Sequence, residues 1–215
     1  MARSDRTGNR KRREDFKTRI PDLGYYTIVT DAKQTEENYL EGLRKSLPNG
    51  VQDRIVIKVS HARTEKLIDV CIQQATRHPQ YSEPWIVFDR DRVPSFDKII
   101  EKATHHHIHV GWSNPCIETW FFAYYGPMPP YSESTACCER FSELFNRKTG
   151  HEYSKSDPDI YEILQKSGDE EKALKTAESR YQMWNSSNMR PSKMCPCTTL
   201  HHLVGEVWAK TQKTK

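Results

Sequence analysis

Trp85-Ile86-Val87-Phe88-Asp89-Arg90-Asp91-Arg92 is the stretch that decides the fold. Four apolar residues, aromatic or β-branched, stop abruptly at alternating acids and arginines, as a strand buried on both faces of a parallel sheet does at the sheet's carboxyl edge. In extended chain Asp89 and Asp91 leave the same side, so two carboxylates converge on one point. Unpaired carboxylates that close repel. A hard divalent cation, Mg2+ or Mn2+, is their natural partner, since it takes one or two carboxylates and keeps positions open for phosphate oxygens. Arg90 and Arg92 then project to the other face or the rim, where they pair with the same acids or hold a substrate phosphate. The plainer alternative is a solvated turn stabilised by Asp–Arg pairs.

Moving outward, Tyr25 to Thr30 reads as an earlier buried strand, and Thr35 as the cap of a helix carrying Glu36 and Glu37 in its first turn and Tyr39, Leu40, Leu43 and Leu47 at helical spacing. Pro48-Asn49-Gly50 stops that helix. Arg54 to Val59 reads as a strand, Glu65 to Arg77 as an amphipathic helix, Phe96 to Ala103 as another helix, and His107 to Trp112 as a fourth strand. The alternation βαβαβαβ predicts a parallel sheet of about four strands flanked by helices, with functional groups beyond the carboxyl ends of the strands. From Cys116 onward the pattern is helical, at about 116–125, 136–147, 159–166, 169–183 and 199–212, with Gly/Pro/Ser breaks between. The chain therefore divides into a basic arm (1–20), an α/β core (21–126) and a helical C-terminal part packed on it (127–215).

A metal site at such an edge wants a third acid. The first strand ends at Asp31, followed by Glu36 and Glu37, and Asp31 is the best placed of these; as an isolated residue it would be a turn or cap. Trp112 to Trp120 follows the fourth strand to the same edge. There Ser113 or Asn114 caps a helix that Pro115 opens, and Glu118 sits in its first turn as a dipole partner, a metal-shell carboxylate or a general base. His105, His106, His107 and His109 are read as helix-end and strand-packing residues in preference to metal ligands. Trp120 to Tyr125 is read as core in preference to a base-stacking platform.

The chain has 215 residues and a net charge of +4. With 35% hydrophobic residues, 29% charged residues and a mean hydropathy of −0.86 it offers no run long enough to span a membrane. Positive charge is concentrated in residues 1–19, where eight Arg and Lys residues face only Asp5, Glu14 and Asp15. Such a head is expected to be disordered until it meets an anion. Arg10, Lys11, Arg12 and Arg13 then read as phosphate contacts, or the arm simply aids solubility. Six cysteines behind a charged N-terminus suggest a reducing cytoplasm and no disulfide framework. Cys195-Pro-Cys197, with His201 and His202 nearby, lacks the paired two-residue gaps of a zinc site and reads as ordinary thiols.

Four segments carry a family resemblance: V-T-D-A-K-Q-T-E-E-N-Y-L-E-G-L at 29–43, F-D-R-D-R at 88–92, S-N-P-C-I-E-T-W-F at 113–121 and C-P-C-T-T-L-H-H-L-V at 195–204. Together and in this order they resemble the RloB family, over about Tyr25 to Trp208. The resemblance implies a Toprim-like α/β nuclease with a divalent metal, found in prokaryotic anti-phage defence loci, often beside an ATPase partner and acting by abortive infection. It places the Toprim Asp-x-Asp on Asp89 and Asp91 and the helix-opening acid on Glu118. Where the family has Glu-Gly after the first strand, this chain has Asp31-Ala32, one methylene shorter at the position of the proposed proton-transfer or metal-binding glutamate.

The leading expectation is a metal-dependent nuclease using Asp31, Asp89, Asp91 and Glu118, cutting RNA or tRNA in preference to duplex DNA, with Asn114 and the arginines on nucleic acid. A catalytically weakened binding module working with an ATPase partner is the alternative, and a homo-oligomer fits either. Asp89-Arg90-Asp91-Arg92-Val93 also fits the nucleophile motif of haloacid-dehalogenase-like phosphatases. Two strands precede the motif, however, and Asp157 and Asp159 sit in a Pro-containing loop.

Overall fold

The computed structural model describes residues 25–31, 34–60, 63–76, 82–91 and 93–212. The basic arm, with Arg10, Lys11, Arg12 and Arg13, lies outside the described residues, as do Ala32 and Arg92.

Strands β1 (Tyr25–Thr30), β2 (Ile55–Val59), β3 (Ser82–Asp89) and β4 (His109–Asn114) run parallel. A fifth strand, β5 (Cys197–Thr198), pairs antiparallel with the end of β4 through Ser113↔Thr198 and Asn114↔Cys197. The order is β2-β1-β3-β4-β5, so the expected four strands become five. Periodicity could not find β5. It is two residues long, lies in what reads as a Pro/Ser break, and is fixed by Thr198 and Thr199, whose hydroxyls donate to the carbonyls of Trp112 and Val110.

Helices α1 (Thr35–Ser46), α2 (Asn49–Gln52), α3 (Leu67–Ala75) and α4 (Phe96–His105) connect the parallel strands. Thr35 is the first residue of α1 and not its cap; its hydroxyl donates instead to the Lys155 carbonyl at 3.2 Å. The sheet is wound both ways. Tyr26, Ile28, Trp85 and Val87 pack on one face with Tyr39, Leu40 and Leu43 of α1, whereas Val29, Ile86 and Phe88 pack on the other with α3 and α4. Because α1 leaves β1 over one face and α4 leaves β3 over the other, the carboxyl ends of these two neighbours open a crevice between them.

The C-terminal part supplies α5 (Glu118–Tyr125), α6 (Ser134–Thr149), α7 (Ile160–Ser167), α8 (Glu170–Ser186) and α9 (Leu200–Gln212). Phe141, Leu164, Ala173, Ala177, Leu203 and Val204 share one core with the α1 face of the sheet. Trp120 to Tyr124 are buried there, as their composition requires. All six cysteines are free thiols, and no described helix is long and apolar enough to cross a membrane. His105, His106, His107 and His109 form no ligand cluster among the described residues; His109 stacks on Trp85 and pairs with Glu83.

At Gly42 the backbone of α1 lies against the Tyr161 side chain of α7: a Cβ there would stand 2.4 Å from Tyr161 Cβ. The overpacking in Gly42→Ala costs about 1–3 kcal/mol, partly offset by the roughly 1 kcal/mol that alanine gains over glycine within a helix, for a net destabilisation of up to about 2 kcal/mol. A lowered urea midpoint with unchanged m is the expected result.

Candidate functional site

Phe88 is the last strictly buried residue of β3. The chain leaves extended geometry after Asp89: Arg90 lies in a bend and Asp91 on an exposed turn, with their N–H groups donating to the carbonyls of Ser113 and Pro115. Alternation across a strand therefore no longer aims Asp91 where Asp89 points. The carboxylates that act most strongly on Asp89 are Glu36 and Glu118 instead.

Glu36 is only 6% exposed and Glu118 is fully buried. Glu36 comes from the first turn of α1 behind β1, Asp89 from the end of β3, and Glu118 from the first residue of α5 behind β4. Three successive parallel strands thus deliver one acid each to the same edge. Asp89 also shapes the site locally, because its Oδ2 accepts the Ile117 N–H at 3.1 Å at the start of α5. The N-cap position of α5 is Ile117, so neither Ser113 nor Asn114 caps the helix as expected. Ser113 shares its hydroxyl with Thr198 instead, and Asn114 is buried with its amide on the carbonyls of Pro191 and Ser192 at 3.3 Å each, holding the β5 approach. Asp31 stands at the rim, where it accepts a hydrogen bond from the Thr64 hydroxyl and acts electrostatically on Glu36.

The acids do not share one state. Burial, then repulsion from Glu36 and Glu118, lifts the Asp89 carboxyl well above the carboxylate range. Burial raises Glu36 to about 7, with Glu118 and Asp31 adding to the rise. Burial is also the main influence raising Asp31. Glu118 goes the other way. Burial is its largest single influence, yet Lys155 and hydrogen bonds from Cys116 and Tyr153 outweigh it and hold the carboxyl low. Tyr153 donates to Glu118 Oε1 at 2.8 Å, and Lys155 Nζ lies 3.4 Å from the same oxygen.

Tyr153 and Lys155 were missed in the sequence because they stand in a polar loop without periodicity. Glu36 did leave a signal. It lies on the apolar stripe of α1 with Tyr39, Leu40 and Leu43, so the helix that buries those residues buries Glu36 as well.

Glu118 Oε2 is buried without a hydrogen-bond partner among the described residues. That orphaned carboxylate oxygen, electrostatically coupled to Asp89 and Glu36 and faced by Lys155, offers oxygen donors of the kind a hard dication takes. Cys116 and Cys138 flank Glu118, their sulfurs 4.0 Å apart. Beside the crevice, Arg90, Lys98 and Arg190 line an open groove of about 460 Å³ with Ser95 and Ser192.

A family model, described as RloB-like protein, matches residues 26–207. The chain belongs to the RloB-like family. Neither curated proteins nor solved structures give a match. The family match covers each acid of the crevice, with Lys155 and Arg190 also inside it.

Glu36 binds its proton more tightly folded than unfolded. Its contribution is fully present below the ordinary carboxyl range and is lost as pH rises through about 7. Without divalent ions, the melting temperature should fall between about pH 5 and about pH 7.5 in the wild type and less in Glu36→Gln. Differential scanning fluorimetry across that range checks the sign.

Proposed function

We propose that this RloB-like chain is a metal-dependent nuclease whose site is the carboxylate crevice at the ends of β1, β3 and β4. The observation that carries the reading is the electrostatic coupling of Asp89 to the buried Glu36 and Glu118 at the switch point of a parallel sheet, with one Glu118 carboxylate oxygen left unpartnered among the described residues. Folding has to oppose that repulsion, so the arrangement makes physical sense where a cation completes it.

Asp89, Glu36 and Glu118 would hold Mg2+ or Mn2+, with Asp31 and Asp91 at the rim. Such an ion supplies charge neutralisation at the scissile phosphate and a more acidic bound water. The protein's own contributions follow from its geometry. Lys155 and Tyr153 fix Glu118 and keep it ionised. Glu36, whose proton burial holds up to about neutrality in the metal-free site, would give that proton up on taking the ion, which makes metal binding pH-dependent. Arg90, which follows Asp89 directly in the chain, lines a groove with Lys98, Arg190 and Asp97, and its cations offer phosphate contacts whose affinity does not depend on base sequence.

RNA or tRNA is the favoured substrate, and the basic arm, with Arg10, Lys11, Arg12, Arg13 and then Arg92, would extend the phosphate contacts. A role as an anti-phage defence effector beside an ATPase partner rests on the family resemblance. The Toprim-like description of the α/β core rests on the Asp89/Asp91 motif in its strand-end position.

Purified protein should cleave a panel of tRNA, single-stranded RNA and DNA with Mg2+ or Mn2+ and lose cleavage in EDTA. Asp89→Asn and Glu118→Gln should each lower the rate on the order of 100-fold or more. Lys98→Ala/Arg190→Ala should mainly weaken substrate binding and flatten its salt dependence. Cleavage that persists in EDTA or in Asp89→Asn would remove the reading, and RNA binding without any cleavage would replace it with a binding module.

A further inference from the structure

At the far end of β4 from the crevice, α8 and α9 bring together Glu178, His201 and His202. Thr198 pairs with Ser113, and Thr199 then bonds to Trp112 and Val110, so the chain runs back along β4 and delivers the two histidines towards the strand's start. Both imidazole Nε2 atoms point at one carboxylate oxygen, Glu178 Oε2, at 2.8 Å from His201 and 3.2 Å from His202. The three donor atoms lie within 4.8 Å of one another. Cys195 and Cys197 take no part: Cys195 Sγ donates to the Tyr131 carbonyl, and Cys197 is buried in β5.

We propose that Glu178, His201 and His202 form a binding site for a transition-metal dication of the Zn2+ class, separate from the carboxylate crevice. Two imidazole nitrogens and one carboxylate oxygen are a borderline-soft set that suits Zn2+, Co2+ or Ni2+ and is poor for Mg2+. Metal–ligand bonds of about 2.0–2.1 Å in a tetrahedron separate the ligand atoms by roughly 3.3 Å, so the two histidine–Glu178 spacings need to open by no more than about half an ångström.

A second observation concerns the other nitrogen of His201. The residue is 3% exposed, and its Nδ1 is buried without a hydrogen-bond partner of ordinary geometry among the described residues. The backbone of Thr198 acts on the ring as an acceptor. If the neutral ring donates from Nε2 to Glu178, Nδ1 is a bare acceptor with nothing to donate to it. A cation on Nε2 reverses this: the proton moves to Nδ1, where the Thr198 backbone can accept it, the outer-sphere bond that orients metal-bound histidines. Gln182 Nε2 donates to the carboxylate of Glu178 through the other oxygen, Oε1, at 2.6 Å.

His202 and Glu178 are respectively 41% and 44% exposed, and the cluster opens on a groove of about 610 Å³ lined by Leu174, Ser179 and Gly205. Three protein ligands with an open side leave the fourth position to water or a small donor. The same three ligands tie α8 to α9, so the bound ion clamps the C-terminal helix pair.

The test titrates full-length apo protein with Zn2+ and Co2+. In excess Mg2+, which fills the carboxylate crevice, one equivalent should bind, Zn2+ should raise the melting temperature, and the Co2+ spectrum should show tetrahedral d–d bands without a thiolate charge-transfer band. His202→Ala and Glu178→Gln alter exposed side chains and should leave the fold intact by circular dichroism. Each should weaken binding by more than the roughly 10–100-fold that loss of an outer-sphere partner costs. Asp89→Asn and Cys116→Ser/Cys138→Ser should bind as the wild type does, which keeps this result independent of the nuclease reading. Absence of saturable binding would leave Glu178 as a histidine hydrogen-bond partner only. Binding that survives His202→Ala, or a thiolate band, would place the ion elsewhere, and any of these results overturns the assignment.

Discussion

Like charges brought together out of water repel, and at the carboxyl edge of this sheet the chain gathers Glu36, Asp89 and Glu118 into one poorly solvated crevice. Much of the surrounding structure answers that repulsion. Two of the three carboxyls are pushed towards holding their protons. The third stays ionised because Tyr153 and Lys155 reach it from the C-terminal part. The Ile117 N–H at the start of α5 is turned onto Asp89, so a helix end shares in stabilising the group.

Topology creates the crevice. β1 and β3 are neighbours whose following helices depart to opposite faces, which opens the sheet edge between them. The helical C-terminal part closes the arrangement. It adds β5 beside β4, shares the larger core with α1, and hangs the 151–159 loop from Thr35 and Glu118. The division between α/β core and helical part is thus a division of sequence pattern, while the packing and the site belong to both.

The two centres differ in chemistry. Oxygen donors collect at the carboxyl edge, where a hard ion and phosphate oxygens fit one another. Nitrogen donors and one carboxylate collect between α8 and α9, on the C-terminal helix pair.

Residue pattern alone determined the parallel strands, their connecting helices and the C-terminal helices, because each buries a continuous apolar face whose period is written locally. The same pattern placed Asp31, Asp89 and Glu118 at one edge, since a parallel sheet has only one edge at which strands end. What tertiary structure decided was which acids meet. Asp91 falls away because the chain bends at Arg90, and Glu36 replaces it because α1 turns its apolar stripe, with that glutamate on it, towards the sheet. Asn114 is drawn into holding the β5 approach, and β5, Tyr153, Lys155 and the Glu178–His201–His202 cluster arise from contacts between segments far apart in sequence. Local periodicity carries no information about such contacts, and only the packed chain brings those residues within bonding distance.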